Sequence, residues 1–213
     1  MNNNLTELIM ILDMSGSMFA LREDTIGGYN SLIEQQKKEK GEAVVTTVLF
    51  DHEYILLHDR KNIKEVSALT NDDYSPRGST AMLDAIGRTL VSVGHKLAEL
   101  PEEERPGKVM VTIITDGYEN ASREYSWETI KKMIEEQRSK YSWVFTFIGA
   151  DIDNMQVSNS LGIDPRFSKK YTKSMAGTAS VYNSVSKSMA KMRNSVDASC
   201  ALSEIAEELN NIE

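Results

Sequence analysis

Asp13-Met14-Ser15-Gly16-Ser17 follows directly on the apolar run Leu8-Ile9-Met10-Ile11-Leu12. The pentapeptide offers one carboxylate and two hydroxyls at alternate positions, with no thiol and no imidazole. Hard oxygen donors of this kind suit Mg²⁺ or Mn²⁺ and are wrong for zinc or copper. Three oxygens do not fill an octahedron, so further donors are expected elsewhere. The run 108–115 reads as a second buried strand and ends at Asp116-Gly117, which supplies a second carboxylate. Gly78-Ser79-Thr80 stands just before a helical pattern and supplies a third hydroxyl. Turn formation or helix capping would account for Ser15, Ser17 and Thr80. It would not account for carboxylates ending two buried strands, where an unpaired charge is costly.

The elements that must position these groups follow from hydrophobic period. Continuous apolar runs that end at loops read as strands buried on both faces. Strands alternating with helical patterns imply βαβ units and a mostly parallel sheet. Ile26, Tyr29 and Ile33 mark a helix running to Gly41, and residues 44–50 form the second strand. Residues 54–57 follow after only Asp51-His52-Glu53, a link short enough for a hairpin and an antiparallel edge strand. Residues 62–73 are polar and irregular. Leu83, Ile86, Leu90, Val93 and Leu97 keep helical spacing up to Pro101. The acidic stretch 102–107 reads as a solvated loop. Trp127, Ile130 and Ile134 mark another helix. Residues 143–150 form a strand ending at Asp151, followed by a short helix through Val157 and Leu161. Residues 167–171 form the last, edge strand, and a final helix spans about 176–192, carrying Val181, Val185, Met189 and Met192. The expected architecture is therefore α/β: a Rossmann-like, doubly wound, mostly parallel sheet with one antiparallel edge strand and helices on both faces. In such sheets ligands sit beyond the carboxyl ends of the strands, where Asp13 and Asp116 stand.

The set Asp13, Ser15, Ser17, Thr80 and Asp116 resembles the metal-ion-dependent adhesion site of von Willebrand factor type A domains, the family that includes integrin I domains. The resemblance covers roughly residues 5–192. It implies a type A domain over 1–193, with 194–213 as a C-terminal acidic appendage. There Leu202, Ile205, Leu209 and Ile212 share one face of an amphipathic helix, which either packs back on the body or docks a partner. The resemblance also assigns roles. Ser15, Ser17 and, in the high-affinity state, Thr80 hold the metal, and Asp13 and Asp116 reach it directly or through water. Neutral hydroxyls leave such a cation underneutralised, with a position open to a partner's Glu or Asp. Met18, Phe19, Tyr74, Arg77, Tyr118 and Glu119 flank the metal loops and form the expected partner-binding rim, since aromatic and Arg residues are common interface anchors. Met18 and Phe19 have packing under the loop as their alternative. Asp51 and Asp151 also end strands, either supporting the metal loops or capping helices. In family members that regulate adhesion the final helix moves on ligation; here a fixed helix is the simpler expectation.

Composition narrows the function classes. The chain has 213 residues, 40% hydrophobic and 26% charged, enough for one full core. A net charge of −8 argues against a nucleic-acid backbone as partner and favours divalent cations. No window approaches a membrane span. Met1-Asn2-Asn3-Asn4 lacks the basic and apolar regions of a signal peptide. Cys200 is the sole cysteine, so no internal disulfide forms, and a cytoplasmic location is expected. His52, His58 and His95 are scattered and read as surface or strand-end residues. The leading functional reading is a non-catalytic, Mg²⁺- or Mn²⁺-dependent protein-binding module resembling the stand-alone intracellular, bacterial-type members of the family. The alternative is a Mg²⁺-dependent phosphohydrolase using Asp13 and Asp116. Against it, Ser15 stands where a second carboxylate is wanted, and no phosphate-clamping motif is evident.

Overall fold

Eight consecutive buried residues, 6–13, make β1 (Asn2–Asp13) the centre of the molecule. A strand buried on both faces needs apolar neighbours on each side. It has them in β2 (Glu42–Phe50) and β4 (Pro106–Thr115), both paired to it in parallel. The computed structural model describes residues 1–150 and 153–212. β3 (Tyr54–Asn62), β5 (Val144–Ala150) and β6 (Ser168–Tyr171) complete one sheet in the order β3-β2-β1-β4-β5-β6. Only β3 runs antiparallel; β5 and β6 continue the parallel set.

Helices cover both faces. α1 (Arg22–Gln36) packs on α5 (Met175–Asn194), which packs on α6 (Ala198–Asn210). On the other face α2 (Met82–Glu99) meets α3 (Trp127–Tyr141), and α3 meets α4 (Asn154–Leu161). Strand order reverses at β1, so the chain leaves β1 and β4 toward opposite helix layers. This leaves a crevice beyond their carboxyl ends, where open α/β sheets take ligands.

The architecture is the one expected from hydrophobic period, with differences at element ends. β1 begins at Asn2, because a polar segment can extend a strand once Pro106 offers backbone pairing. β3 runs to Asn62 rather than 57, past a break in register at Arg60, whose φ is 46°. Pro106 and Gly107 belong to β4 rather than to the acidic loop. His58 is not a surface residue: it is buried on β3, with Nδ1 3.3 Å from the Tyr29 hydroxyl. α6 lies on α5, β4 and β6, burying Ala198, Ala201, Ile205 and Leu209, while Leu202 and Ile212 are only partly covered.

The α1–α5 seam is tight. A side chain at Gly28 would come within 2.3 Å of the Tyr182 ring, so only glycine lets the helices approach this closely. At the far end of the seam the Arg193 guanidinium donates to the carbonyls of Gln36, Glu39, Lys40 and Gly41. Gln36 ends α1 and the other three follow it in the turn to β2, so one guanidinium ties that turn to α5. The Lys108 ammonium donates to the carbonyls of Arg193 (2.7 Å) and Ser195 (2.9 Å), closing the C-terminus of α5. Burial lowers the pKa of both cations from their ordinary values.

Candidate metal site

Asp13 is fully buried at the end of β1. Its Oδ1 accepts the Ser15 amide at 2.7 Å and its Oδ2 accepts the Thr115 hydroxyl at 2.6 Å. Desolvation raises its carboxyl to about 6, against the pull of these hydrogen bonds. A nearby cation would reverse that shift by favouring the ionised form.

Three strands feed the site. The Met14 amide donates to Phe50 O of β2, and Met14 O accepts the Arg77 amide at 2.9 Å. The Ala81 amide donates to Asp51 O at 2.8 Å, which ties the Thr80 turn to the end of β2. The Thr80 amide donates to Asn120 Oδ1, and the Asn120 amide returns a bond to Thr80 O, joining that turn to the loop after β4. Gly78 turns the chain with φ 65°, and any side chain there would meet the His52 ring.

The hydroxyls are not used as caps. Ser15 precedes the 3₁₀ turn Gly16–Leu21 without capping it, and α2 starts after Ala81 with no side-chain cap. Instead Ser15 Oγ lies 3.1 Å from Ser17 Oγ, and the Ser17 hydroxyl donates to Asp116 Oδ1. A methyl carbon built onto Gly117 would lie 3.3 Å from Thr80 Oγ1, 3.5 Å from Ser17 Oγ and 4.0 Å from Asp13 Oδ2. Oxygens from three separate segments therefore face one small volume beside Asp116. The second Asp116 oxygen, Oδ2, is buried and accepts no well-directed hydrogen bond from any described residue, although the Lys173 ammonium stands 2.5 Å away. Distance makes this an ion pair; poor alignment keeps it from being a hydrogen bond. The donor set is all oxygen, carries two carboxylates and includes a buried acceptor, Asp116 Oδ2, that takes no hydrogen bond. These residues fit a hard divalent ion.

The expected rim divides. Phe19 and Tyr118 are exposed, at 70% and 56%. Met18 and Tyr74 are buried and cannot meet a partner. Met18 packs in the core under the loop, and the Tyr74 hydroxyl donates to Asp13 O at 2.5 Å. Glu119 spends both carboxylate oxygens on the amides of Leu83, Ala121 and Ser122 and on the Ser122 hydroxyl. It holds the loop rather than facing outward. Arg77 is half exposed but bridges Asp51 and Glu53. Asp51, His52 and Glu53 place possible ligand atoms within 4.8 Å of one another, yet Arg77 already neutralises the two carboxylates. Asp51 caps no helix; its Oδ1 accepts the Glu53 amide in the β2–β3 turn. Asp151 lies outside the described residues.

Sequence reading missed Thr115, Asn120, Lys173 and two exposed methionines, Met155 and Met175, at the starts of α4 and α5. Thr115 had a signal, standing next to Asp116 at the end of a strand. Lys173 had none, because only the fold brings β6 toward β4.

A scan against protein-family models finds no match, and neither does a search of curated proteins. Solved structures do match. Proximal thread matrix protein 1 from the mussel byssus aligns over 87% of this chain and 46% of its own, with TM-score 0.63 and 16% identity. A structure of that protein with a zinc-occupied MIDAS motif gives TM-score 0.61. The manganese-loaded Plasmodium vivax TRAP protein aligns over 81% of this chain and 70% of its own, with TM-score 0.57 and 16% identity. BatB from Bacteroides thetaiotaomicron aligns over 89% of this chain and 100% of its own, with TM-score 0.56 and 16% identity. The chain thus spans less than half of the mussel protein's length. A von Willebrand factor type A protein from Catenulispora acidiphila has the same fold, at 13% identity. Among the described residues no helix is long and apolar enough to cross a membrane.

Proposed function

We propose that this chain, whose fold is that of von Willebrand factor type A domains, is a non-catalytic protein-binding module with a divalent metal at Asp13, Ser15, Ser17, Thr80 and Asp116. The observation that carries the reading is the convergence of oxygens from the β1, β4 and Thr80 loops on one volume beside a buried, under-partnered carboxylate. Ser15, Ser17, Thr80 and Asp116 would hold the ion, and Asp13, with both oxygens engaged, would orient the loop and add charge. When bound, Mg²⁺ or Mn²⁺ supplies a coordination position for a Glu or Asp carboxylate of a protein partner. Metal-loaded neighbours of the same fold support a divalent ion here. The exposed Phe19, Tyr118, Met155 and Met175 stand at the same end of the sheet and supply apolar contact around the charge. The net charge of −8 supports a protein rather than a nucleic-acid partner, and the single cysteine supports a cytoplasmic adaptor or regulatory role.

A phosphohydrolase would need Asp13 free and ionised as nucleophile. Both its oxygens already accept hydrogen bonds, from the Ser15 amide and the Thr115 hydroxyl. No turnover is therefore expected.

Calorimetry tests the reading. One Mn²⁺ or Mg²⁺ should bind per chain, and Asp116→Ala should weaken binding by more than about a hundredfold, beyond what loss of a merely supporting residue causes, while melting stays cooperative. Binding indifferent to Asp116, or a strong preference for Zn²⁺, would reject the assignment. Partners captured with Mg²⁺ and released by EDTA should also be lost with Asp13→Ala.

A further inference from the structure

Lys173 lies in the short link between β6 and α5, and its ammonium is 2.5 Å from Asp116 Oδ2. Asp116 has no exposed side-chain surface, whereas the Lys173 side chain is 27% exposed. A buried carboxylate needs a counter-charge, and Asp116 Oδ2 has this ammonium and no well-aligned hydrogen bond. We propose that Lys173 is an internal competitor of the metal: its ammonium and the divalent ion draw on the same Asp116 carboxylate, and the side chain must swing out for the ion to bind. The proposal rests on the metal-site reading and adds a residue that sets the affinity of that site.

Geometry favours competition over support. Asp116 is already oriented from its other oxygen by the Ser17 hydroxyl, so Lys173 is not needed to aim it. The ion pair is not directional, and Asp116 is the ammonium's one ion-pair partner among the described residues. A cation beside Asp116 would also stand close to the volume faced by Thr80 Oγ1, Ser17 Oγ and Asp13 Oδ2. In a site screened from water, like charges at that range repel strongly. A lysine is suited to leave, with a flexible four-carbon stem and a strongly hydrated head.

The backbone around Lys173 is held, so the exchange falls on the side chain alone. The Ser174 amide donates to Thr172 O at 2.8 Å, and the Ser174 hydroxyl caps α5 by accepting the Gly177 amide at 3.1 Å. A side chain at Gly177 would strike Thr172 O at 2.0 Å, which keeps this turn closed. The lysine can therefore yield without shifting α5. The effect on the molecule is a site whose metal affinity is held down by its own chain, so that occupancy follows the ambient ion concentration rather than saturating.

Mn²⁺ titration of the full chain by calorimetry tests this, comparing wild type, Lys173→Met and Lys173→Arg. Lys173→Met should bind Mn²⁺ at least about tenfold more tightly, as removal of one close repulsive charge implies, and Lys173→Arg should stay near wild type. Lys173→Gln serves as the neutral variant if the methionine fails to melt cooperatively. The second readout is acylation of Lys173 by an amine reagent, followed by peptide mass spectrometry, with the exposed Lys132 as internal reference. Saturating Mn²⁺ should raise Lys173 labelling, and EDTA should reverse it. If wild type binds Mn²⁺ through Asp116 but the neutral variants bind equally or more weakly, or if Lys173 labelling does not rise, the competitor is rejected and the metal site stands. If neither wild type nor the neutral variants bind Mn²⁺, both readings fall. Binding by the neutral variants alone supports competition in its strongest form.

Discussion

The two ends of α5 use the same residue types for opposite purposes. At its C-terminus, Arg193 and Lys108 donate to backbone carbonyls, those of the turn after α1 and of the end of α5. At its N-terminus, Lys173 points at a single side-chain carboxylate. The first arrangement ties the turn after α1 and the C-terminal end of α5 with several directed bonds. The second pairs two charges with no directed bond. A cation that ties several backbone carbonyls is structural, because its loss frees several acceptors at once. A cation that faces one carboxylate is replaceable, because any other cation satisfies that carboxylate equally well. The fold thus closes one pole of the sheet and leaves the other with exchangeable chemistry.

Breaking the closed pole should give the largest effect. Arg193→Met should cost about 2 kcal/mol in urea unfolding, since the turn after α1 loses its tie to α5 and the buried Gln36 carbonyl loses a charged donor worth about 1–3 kcal/mol. Its Mn²⁺ affinity should remain within about threefold of wild type, because small distant changes add independently. A large loss of metal binding in this variant would mean that the two ends of α5 are coupled and that the helix moves. The Gly28–Tyr182 contact and the four carbonyls held by Arg193 argue for a fixed helix.

A smaller effect is expected at the open pole. Tyr74→Phe removes the hydrogen bond to Asp13 O and should cost about 1 kcal/mol of stability, the usual net worth of one such bond. Here the metal should feel the change, because the bond holds the last residue of β1. A Tyr74→Phe variant with intact metal affinity would show that the loop is positioned from β2 and β4 alone.

The smallest effect sets the pH at which the poles can be compared. Burial lowers the pKa of His58 from its ordinary 6.5. The unfolded chain therefore takes up a proton before the folded one, and stability falls as pH drops below about 6.5. His58→Gln should show a shallower loss between about pH 7 and 5. An unchanged slope would assign the acid sensitivity to other groups.

Most of the sheet was legible without coordinates. Leu8 to Leu12 are apolar at every position and Val109 to Ile114 at all but Thr112, a pattern that fits strands covered on both faces. The proposed oxygen donors drew on the same signal, since Asp13 and Asp116 stand at the ends of β1 and β4. The rim was not legible. Met18 and Phe19 are neighbours in sequence, yet one is buried and the other 70% exposed, because the tight turn Gly16–Leu21 aims successive side chains in different directions. Tyr74 lies in a polar stretch and looks external, but its hydroxyl finds a backbone acceptor inside. Glu119, expected on the rim, is tied to three amides.

The chain's own order of residues determined the strands, the alternation of layers and the oxygen donors, since hydrophobic period and strand-end position are local properties. Tertiary structure alone decided which charges meet. Arg193 reaches the end of α1, and Lys173 reaches Asp116, across spans of chain that no periodicity connects. Ion pairs between distant segments carry no local signature, because a charged side chain is indifferent to its partner until the backbone brings the two within a few ångströms.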